Sequence, residues 1–293
     1  MAPLPMVRHS LIGLATVAAA VALIHVGSRA ERLPPSIDAD SPRLVLSYQA
    51  FRVGLHVVDS EFDVDLRAAS YALTTKIETI GIARWFVPWR STSFTQGAIT
   101  GAGLEPRRHR LEGEWQGSPR RVAIDYARGH VEARVEPTQA AEMREQVPPQ
   151  LQRETVDPAS AVLDLLRRVS AGEACEGTYA VFDGRRRSDL IVRDRGWTSA
   201  AEPQSHAFSG ETRECEFVIK PISGYAKVDN PDDKNWRRLR NGRAWIGRVV
   251  PGAPLAPVRI EIDSGWGTTI VTLKQVALRT AEASRDAPTT PTP

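Results

Sequence analysis

The sequence has little of what usually announces chemistry. Only two of its 293 residues are cysteine, Cys175 and Cys215, and only six are histidine. The histidines beyond residue 30, at His56, His109, His130 and His206, form no HxH or HExxH pair, so a zinc site would have to be assembled from remote positions. There is no GxSxG elbow, SxxK, P-loop or GxGxxG, so the usual motifs for acyl transfer, phosphate binding and dinucleotide binding are missing. The cysteine spacing excludes a CxxC redox pair. No cofactor and no metal are expected. An excess of one charge is also lacking, with 38 basic residues against 35 acidic. Removing residues 1–30 takes away Arg8 and Arg29 and leaves the rest almost neutral, which gives no case for nucleic-acid binding. The basic set is nearly all arginine, so a single arginine cluster carries little weight.

Long apolar runs are confined to the start of the chain. Residues 11–26, LIGLATVAAAVALIHV, follow a lone cation at Arg8 and lead into Ser28-Arg29-Ala30, the pattern of a secretory signal peptide covering residues 1–30. The alternative is an uncleaved inner-membrane anchor, although a spanning helix needs about 20 apolar residues. Export to the periplasm and a mature form that does not span the membrane are therefore expected. In that oxidising compartment Cys175 and Cys215 are expected to form a disulfide, the alternative being two free buried thiols. Residues 31–42 and 280–293 lack the apolar content to pack and read as a flexible leader and a disordered tail.

What remains, residues 43–279, is dominated by alternation of period two. Phe62, Val64 and Leu66 alternate with Glu61, Asp63 and Asp65, and the same pattern runs through Val122 to Tyr126, Val131 to Val135, Cys215 to Ile219 and Val258 to Ile262. Glycine-bearing turns separate these runs, among them Asp183-Gly184, Asn241-Gly242 and Asp263-Ser264-Gly265. The expected fold is mainly β: an antiparallel meander of about ten or more strands that must curl into a half-barrel or spiral. One segment breaks the pattern. In VDPASAVLDLLRRVSAGE, Asp157 caps, Pro158 suits the first turn, Val162, Leu165, Leu166 and Val169 share a stripe, and Gly172 follows. A helix over about 157–170 in the concave face is expected. Residues 138–146 are a second, weaker helix candidate.

Three segments are candidate sites. In IARWFVPWRS, Trp85, Phe86 and Trp89 are flanked by Arg84 and Arg90. They form either an aromatic lip on a lipophilic cavity, with cations for an acidic head group, or a bulged strand whose aromatics fill the core. The helix itself is either a fixed plug or a movable lid. In FDGRRR, an Asp183-Gly184 type I′ turn would put Arg185 and Arg187 on one strand face and Arg186 on the other, so two arginines at most converge on one anion, with Asp183 orienting one; the alternative is a solvated turn with a salt bridge to Asp183 or Asp189. WRRLRNGRAWIG repeats that grammar around Asn241-Gly242.

Taken together, LVLSYQAFRVGLHVVDSEFDVDL, RWFVPWRSTSFTQGAI, VDPASAVLDLLRRV, the Cys-x6-FDGRRRSDL stretch and a second Cys before P-x2-GY resemble the exported bacterial family called domain of unknown function 3108. The resemblance implies a periplasmic location, no assigned catalytic activity, and a curled sheet similar to the half-barrel of lipoprotein carriers with a helix in its concave face. It also implies kinship with spiral-β envelope-integrity proteins that carry a disulfide. No lipobox cysteine follows the signal, which departs from lipid-anchored versions. The expected role is non-enzymatic binding of a lipidic or cell-envelope ligand or partner in support of envelope integrity. The alternatives are a hydrolase or transferase on envelope glycan or lipid using acids such as Asp157 and Asp183, or a scaffold whose sheet edge accepts a partner strand.

Overall fold

The computed structural model describes residues 43–127, 130–139, 144–199, 208, 210–225, 238–264 and 267–279. The expected signal, leader and tail lie outside these residues. The first half of the chain runs as a meander: β1 (Arg43–Arg52), β2 (Leu55–Leu66), β3 (Ser70–Thr79), the short helix α1 (Ala83–Phe86), β4 (Trp89–Thr100), β5 (Gly103–Trp115), β6 (Ser118–Ala127) and β7 (His130–Glu136). After α2 (Pro149–Gln152) and α3 (Pro158–Ser170), a second meander follows: β8 (Gly177–Phe182), β9 (Arg187–Ser199), β10 (Glu211–Ser223), β11 (Arg240–Gly247), β12 (Ala256–Ser264) and β13 (Gly267–Arg279). All strands join one antiparallel sheet, with β13 paired to β1 at its middle and β7 and β8 at its edges.

The sheet is open but strongly curled. Tyr48 on β1 donates its hydroxyl to the Pro257 carbonyl on β12, two strands away, at 2.9 Å. The two edges approach each other at one end, where Gln139 donates to the Arg185 carbonyl and Arg185 to the Pro137 carbonyl. There Gly184, at φ 88°, lies so close to β6 that a Cβ would meet the Val122 side chain at 2.6 Å. Glycine is required both by the left-handed backbone and by the contact.

Helix α3 forms where expected. The Asp157 carboxylate accepts from the backbone N–H groups of Ala159 and Ser160, Pro158 occupies the first turn, and Gly172 follows with φ 95°. Its apolar residues divide between two clusters: Ala159 and Leu163 pack with Leu44, Leu46 and Leu104, whereas Leu165 and Val169 pack with the Cys175–Cys215 pair. That pair is a disulfide with Cα atoms 5.9 Å apart, tying the link after α3 to β10. The bridge closes a separation of 40 residues, and its reduction is expected to cost about 2–4 kcal/mol of stability. Urea unfolding of wild type against Cys175→Ser/Cys215→Ser measures this, and a shift under about 0.5 kcal/mol would mean that packing alone holds the link.

Three expectations are corrected. Asn241-Gly242 is not a turn but lies within β11, paired with Val218 and Phe217. A Cβ at Gly242 would meet the Phe217 ring at 2.3 Å, so this glycine makes room for a cross-strand aromatic. The FDGRRR turn is not a two-residue type I′ loop. Strand pairing ends at Phe182 and Arg187, and four residues lie between them. The third is the weaker helix: Thr138, Gln139 and residues 144–147 are not helical, and residues 140–143 lie outside the described set.

Candidate functional site

Between α3 and the concave face of the sheet lies a cavity of about 270 Å³, near the lower end of small-molecule sites. Period-two alternation supplies its sheet wall: Tyr48 and Ala50 from β1, Phe62 and Val64 from β2, Phe217 and Ile219 from β10, Ile260 and Ile262 from β12. Helix α3 contributes Val162, Leu163, Leu165 and Leu166. The helix therefore covers the concave face without filling it. The Cys215 half of the disulfide also lines the cavity.

Polar groups gather at one end. Strand directions place the β8–β9 turn, the last residues of β10 and the first of β11 on one rim of the half-barrel. From these come Asp183, Arg186, Arg187, Ser188, Ser223, Tyr225 and Arg240. Arg187 pairs with Asp189 at 2.7 Å. The Asp183 carboxylate closes the turn, accepting from the backbone N–H groups of Arg185 at 2.8 Å and Arg186 at 2.6 Å. Arg240 is almost entirely buried, and burial pulls its guanidinium down to about 10. The cavity thus has an apolar body and a cationic end.

A larger open hollow of about 890 Å³ lies against β2–β6. Its lining is strongly charged, with Lys76 paired to Glu61 at 3.0 Å and Arg90 to Glu114 at 2.8 Å beside the further acids Asp59, Glu78 and Glu112, and it is open to solvent. The cavity under α3, less open and with a mostly apolar wall whose polar groups gather at one end, is the stronger site.

Of the residues singled out in the sequence, Asp183 and Arg187 reach the cavity. Arg185 does not share a strand face with Arg187. It sits in the turn, its side chain buried against Pro137, because four loop residues remove it from strand alternation. The IARWFVPWRS segment is neither a bulged strand nor a lip on this cavity. Trp89 opens β4 and is buried edge-on against Trp115, while Trp85 and Phe86, on α1, are 88% and 55% exposed. Arg84 is exposed beside them, and Arg90 pairs with Glu114. Arg186, Arg240 and Tyr225 were not among the sequence candidates, whereas Val162 and Leu166 lie on the helix stripe that the sequence singled out.

At the rim end of α3 a buried polar network fixes the helix. Thr95 on β4 donates to Asp157 at 3.1 Å, so its oxygen accepts from His109 Nδ1–H at 2.7 Å. Ser160 donates to Asp157 Oδ2 at 2.6 Å and so accepts from the Tyr71 hydroxyl at 2.7 Å. Gly97 leaves space for that tyrosine, since a Cβ there would stand 2.7 Å from its ring. Ser160, His109 and Asp157 are together, but the serine proton is given to the aspartate rather than the histidine, and all three are sealed from solvent. This is a cap and a clamp, not the geometry of an activated nucleophile.

Burial lowers the His109 pKa, against the opposing pull of Asp157. A folded-state pKa below the unfolded value means that the unfolded chain binds the proton first, so stability is present above pH ~6.5 and is lost as pH falls below it. Between about pH 7.5 and about pH 5.5 the wild type is expected to lose about 1 kcal/mol more than His109→Gln, as read from urea unfolding at both pH values. Equal losses would contradict the buried neutral imidazole.

Among the described residues, no group of three or more histidine, cysteine, aspartate or glutamate side chains is placed to hold a metal ion. No helix among them is long and apolar enough to cross a membrane. In comparison with known proteins, no curated protein matches the chain. Among solved structures it is similar to the beta-barrel-like protein of domain of unknown function DUF1849 from Brucella abortus, at 12% identity and a TM-score of 0.49, over 83% of this chain and 99% of that one. The family described as Protein of unknown function (DUF3108) matches residues 45–274, from within β1 to within β13. With nearly the whole sheet and all of α3 inside that match, the chain belongs to the DUF3108 family of proteins of unknown function.

Proposed function

We propose that the protein is a periplasmic, non-enzymatic binder of an acidic amphiphile of the cell envelope, held in the cavity under α3, and that it supports envelope integrity by carrying or sequestering that molecule. The observation that carries this reading is the division of the cavity into an apolar body and a rim with Arg186, Arg187 and Arg240. An acyl chain would bury against Phe62, Leu166 and Phe217, and an anionic head would meet the guanidinium groups. The apolar run over residues 11–26 and the disulfide both fit an oxidising, exported location.

The scaffold reading has less support. The open edge strand β7 turns Val131, Ala133 and Val135 inward, and its outward residues His130, Glu132, Arg134 and Glu136 are exposed. Charges of this kind on an edge discourage strand addition.

The test is titration with a fluorescent fatty acid, followed by displacement with an anionic lysophospholipid and with neutral monoacylglycerol. One saturable site is expected, with the anionic competitor preferred. Charge-assisted hydrogen bonds are worth about 1.5–3 kcal/mol, so Arg186→Gln/Arg187→Gln should weaken the anionic competitor about tenfold and the neutral one little. Equal loss for both competitors would remove the head-group assignment, and absence of saturable binding would remove the proposal.

A further inference from the structure

The exposed apolar side chains are distributed unevenly over the molecule. Of nine large hydrophobic residues exposed among the described residues, seven lie in links at the rim that carries the cationic end of the cavity, and Trp197 and Leu278 lie toward the other. The densest group is formed by two neighbouring links: Val53 (84% exposed) and Leu55 (56%) at the β1–β2 turn, and Ile82 (58%), Trp85 (88%) and Phe86 (55%) before and within α1. The Ile80 N–H to Val57 carbonyl bond at 3.0 Å holds these links side by side.

The tip is not a loose loop. Thr79 Oγ1 donates to the Val87 carbonyl at 2.9 Å and accepts from the Trp89 N–H at 3.0 Å, while Ala83, Val87 and Trp89 are buried beneath. The anchors of the segment point inward, and the fold holds Trp85 and Phe86 in water, where they contribute nothing to the core. Arg84, just before them on the same turn, is exposed and makes no ion pair among the described residues. Tryptophan, phenylalanine and aliphatic side chains on projecting turns, with a cation at their base, match the interfacial zone of a bilayer, where amphipathic rings sit at head-group depth. Exposed Arg84 at the tip, with the cationic end of the cavity on the same rim, complements anionic head groups.

We propose that this tip docks the protein on the surface of an anionic lipid bilayer, presenting the cationic end of the cavity to the head groups. This rests on the amphiphile-binding reading for its purpose but not for its test. Protein lacking residues 1–30 is required, because their apolar run would itself partition, and every described strand of the sheet lies within residues 43–279. It is sedimented with vesicles of phosphatidylethanolamine and phosphatidylglycerol, and with phosphatidylcholine vesicles for comparison.

Preferential binding to the anionic vesicles is expected, with Trp fluorescence quenched by brominated acyl chains. Trp85→Ser/Phe86→Ser should lower the partition coefficient about tenfold or more, because two aromatic side chains would no longer enter the bilayer interface. Arg84→Glu should weaken binding to the anionic vesicles only. Both variants should keep the wild-type unfolding midpoint and, without vesicles, the wild-type affinity for the fluorescent fatty acid. If the double variant binds vesicles as the wild type does, or the wild type ignores anionic vesicles, docking is overturned and the tip is left to a protein partner. Loss of fatty-acid binding in the wild type would instead remove the cavity reading and leave the docking result standing.

Discussion

Asp157→Ala is expected to lower the unfolding free energy by about 3–5 kcal/mol. The carboxylate is completely buried and accepts four hydrogen bonds, from the backbone N–H groups of Ala159 and Ser160 and from the hydroxyls of Ser160 and Thr95. Losing a helix cap alone costs about 1 kcal/mol. Here each remaining donor is also stranded out of water, at about 1–3 kcal/mol apiece before relaxation. Through Thr95 the loss reaches His109, and through Ser160 it reaches Tyr71, so β3, β4 and β5 lose their hold on α3 together. Asp157→Asn, which keeps the shape and one carbonyl oxygen, should fall about halfway. Denaturant unfolding measures both, and a loss under about 1 kcal/mol for the alanine variant would mean that α3 is held by apolar packing alone.

The second large effect concerns ligand occupancy. Leu166 lines the cavity from α3 and is only half-buried by protein, so a larger side chain there has space to enter. Leu166→Trp is expected to reduce binding of a fluorescent fatty acid by more than about tenfold, at a stability cost of about 1–3 kcal/mol or less. Leu166→Ala should cost a similar amount by enlarging the void, yet retain binding. The pair separates blocking from unfolding: two variants of similar stability should differ in occupancy. Equal binding by both would place the ligand outside this cavity.

Much of the fold was legible because its signals are local. Alternation over Phe62 to Leu66, Val122 to Tyr126 and Cys215 to Ile219 identified strands whose inward faces now line the core and cavity. The cap, first-turn proline and terminal glycine of α3 bounded the helix almost to the residue. The misreadings have a common cause, a non-local neighbour. Asn241-Gly242 carries turn chemistry, but Phe217 on the adjacent strand occupies the space beside the glycine. The β8–β9 turn was found, but its length depends on where pairing with Phe182 stops, and that decided whether Arg185 or Arg186 faces the cavity. In the aromatic segment, Trp85 and Trp89 are four residues apart, and only the clamp by Thr79 turns one outward and the other inward. Arg240 and Tyr225 reach the rim because the sheet curls, which no local pattern encodes.

The central claim is that the space beneath α3 holds an acidic amphiphile. Native mass spectrometry of the protein, isolated without detergent from cells that make it, tests this most directly. The account predicts an added mass of one acidic amphiphile per chain on the wild type and its absence on Leu166→Trp. A clean protein mass for the wild type in repeated preparations, with no uptake of added fatty acid, would contradict it.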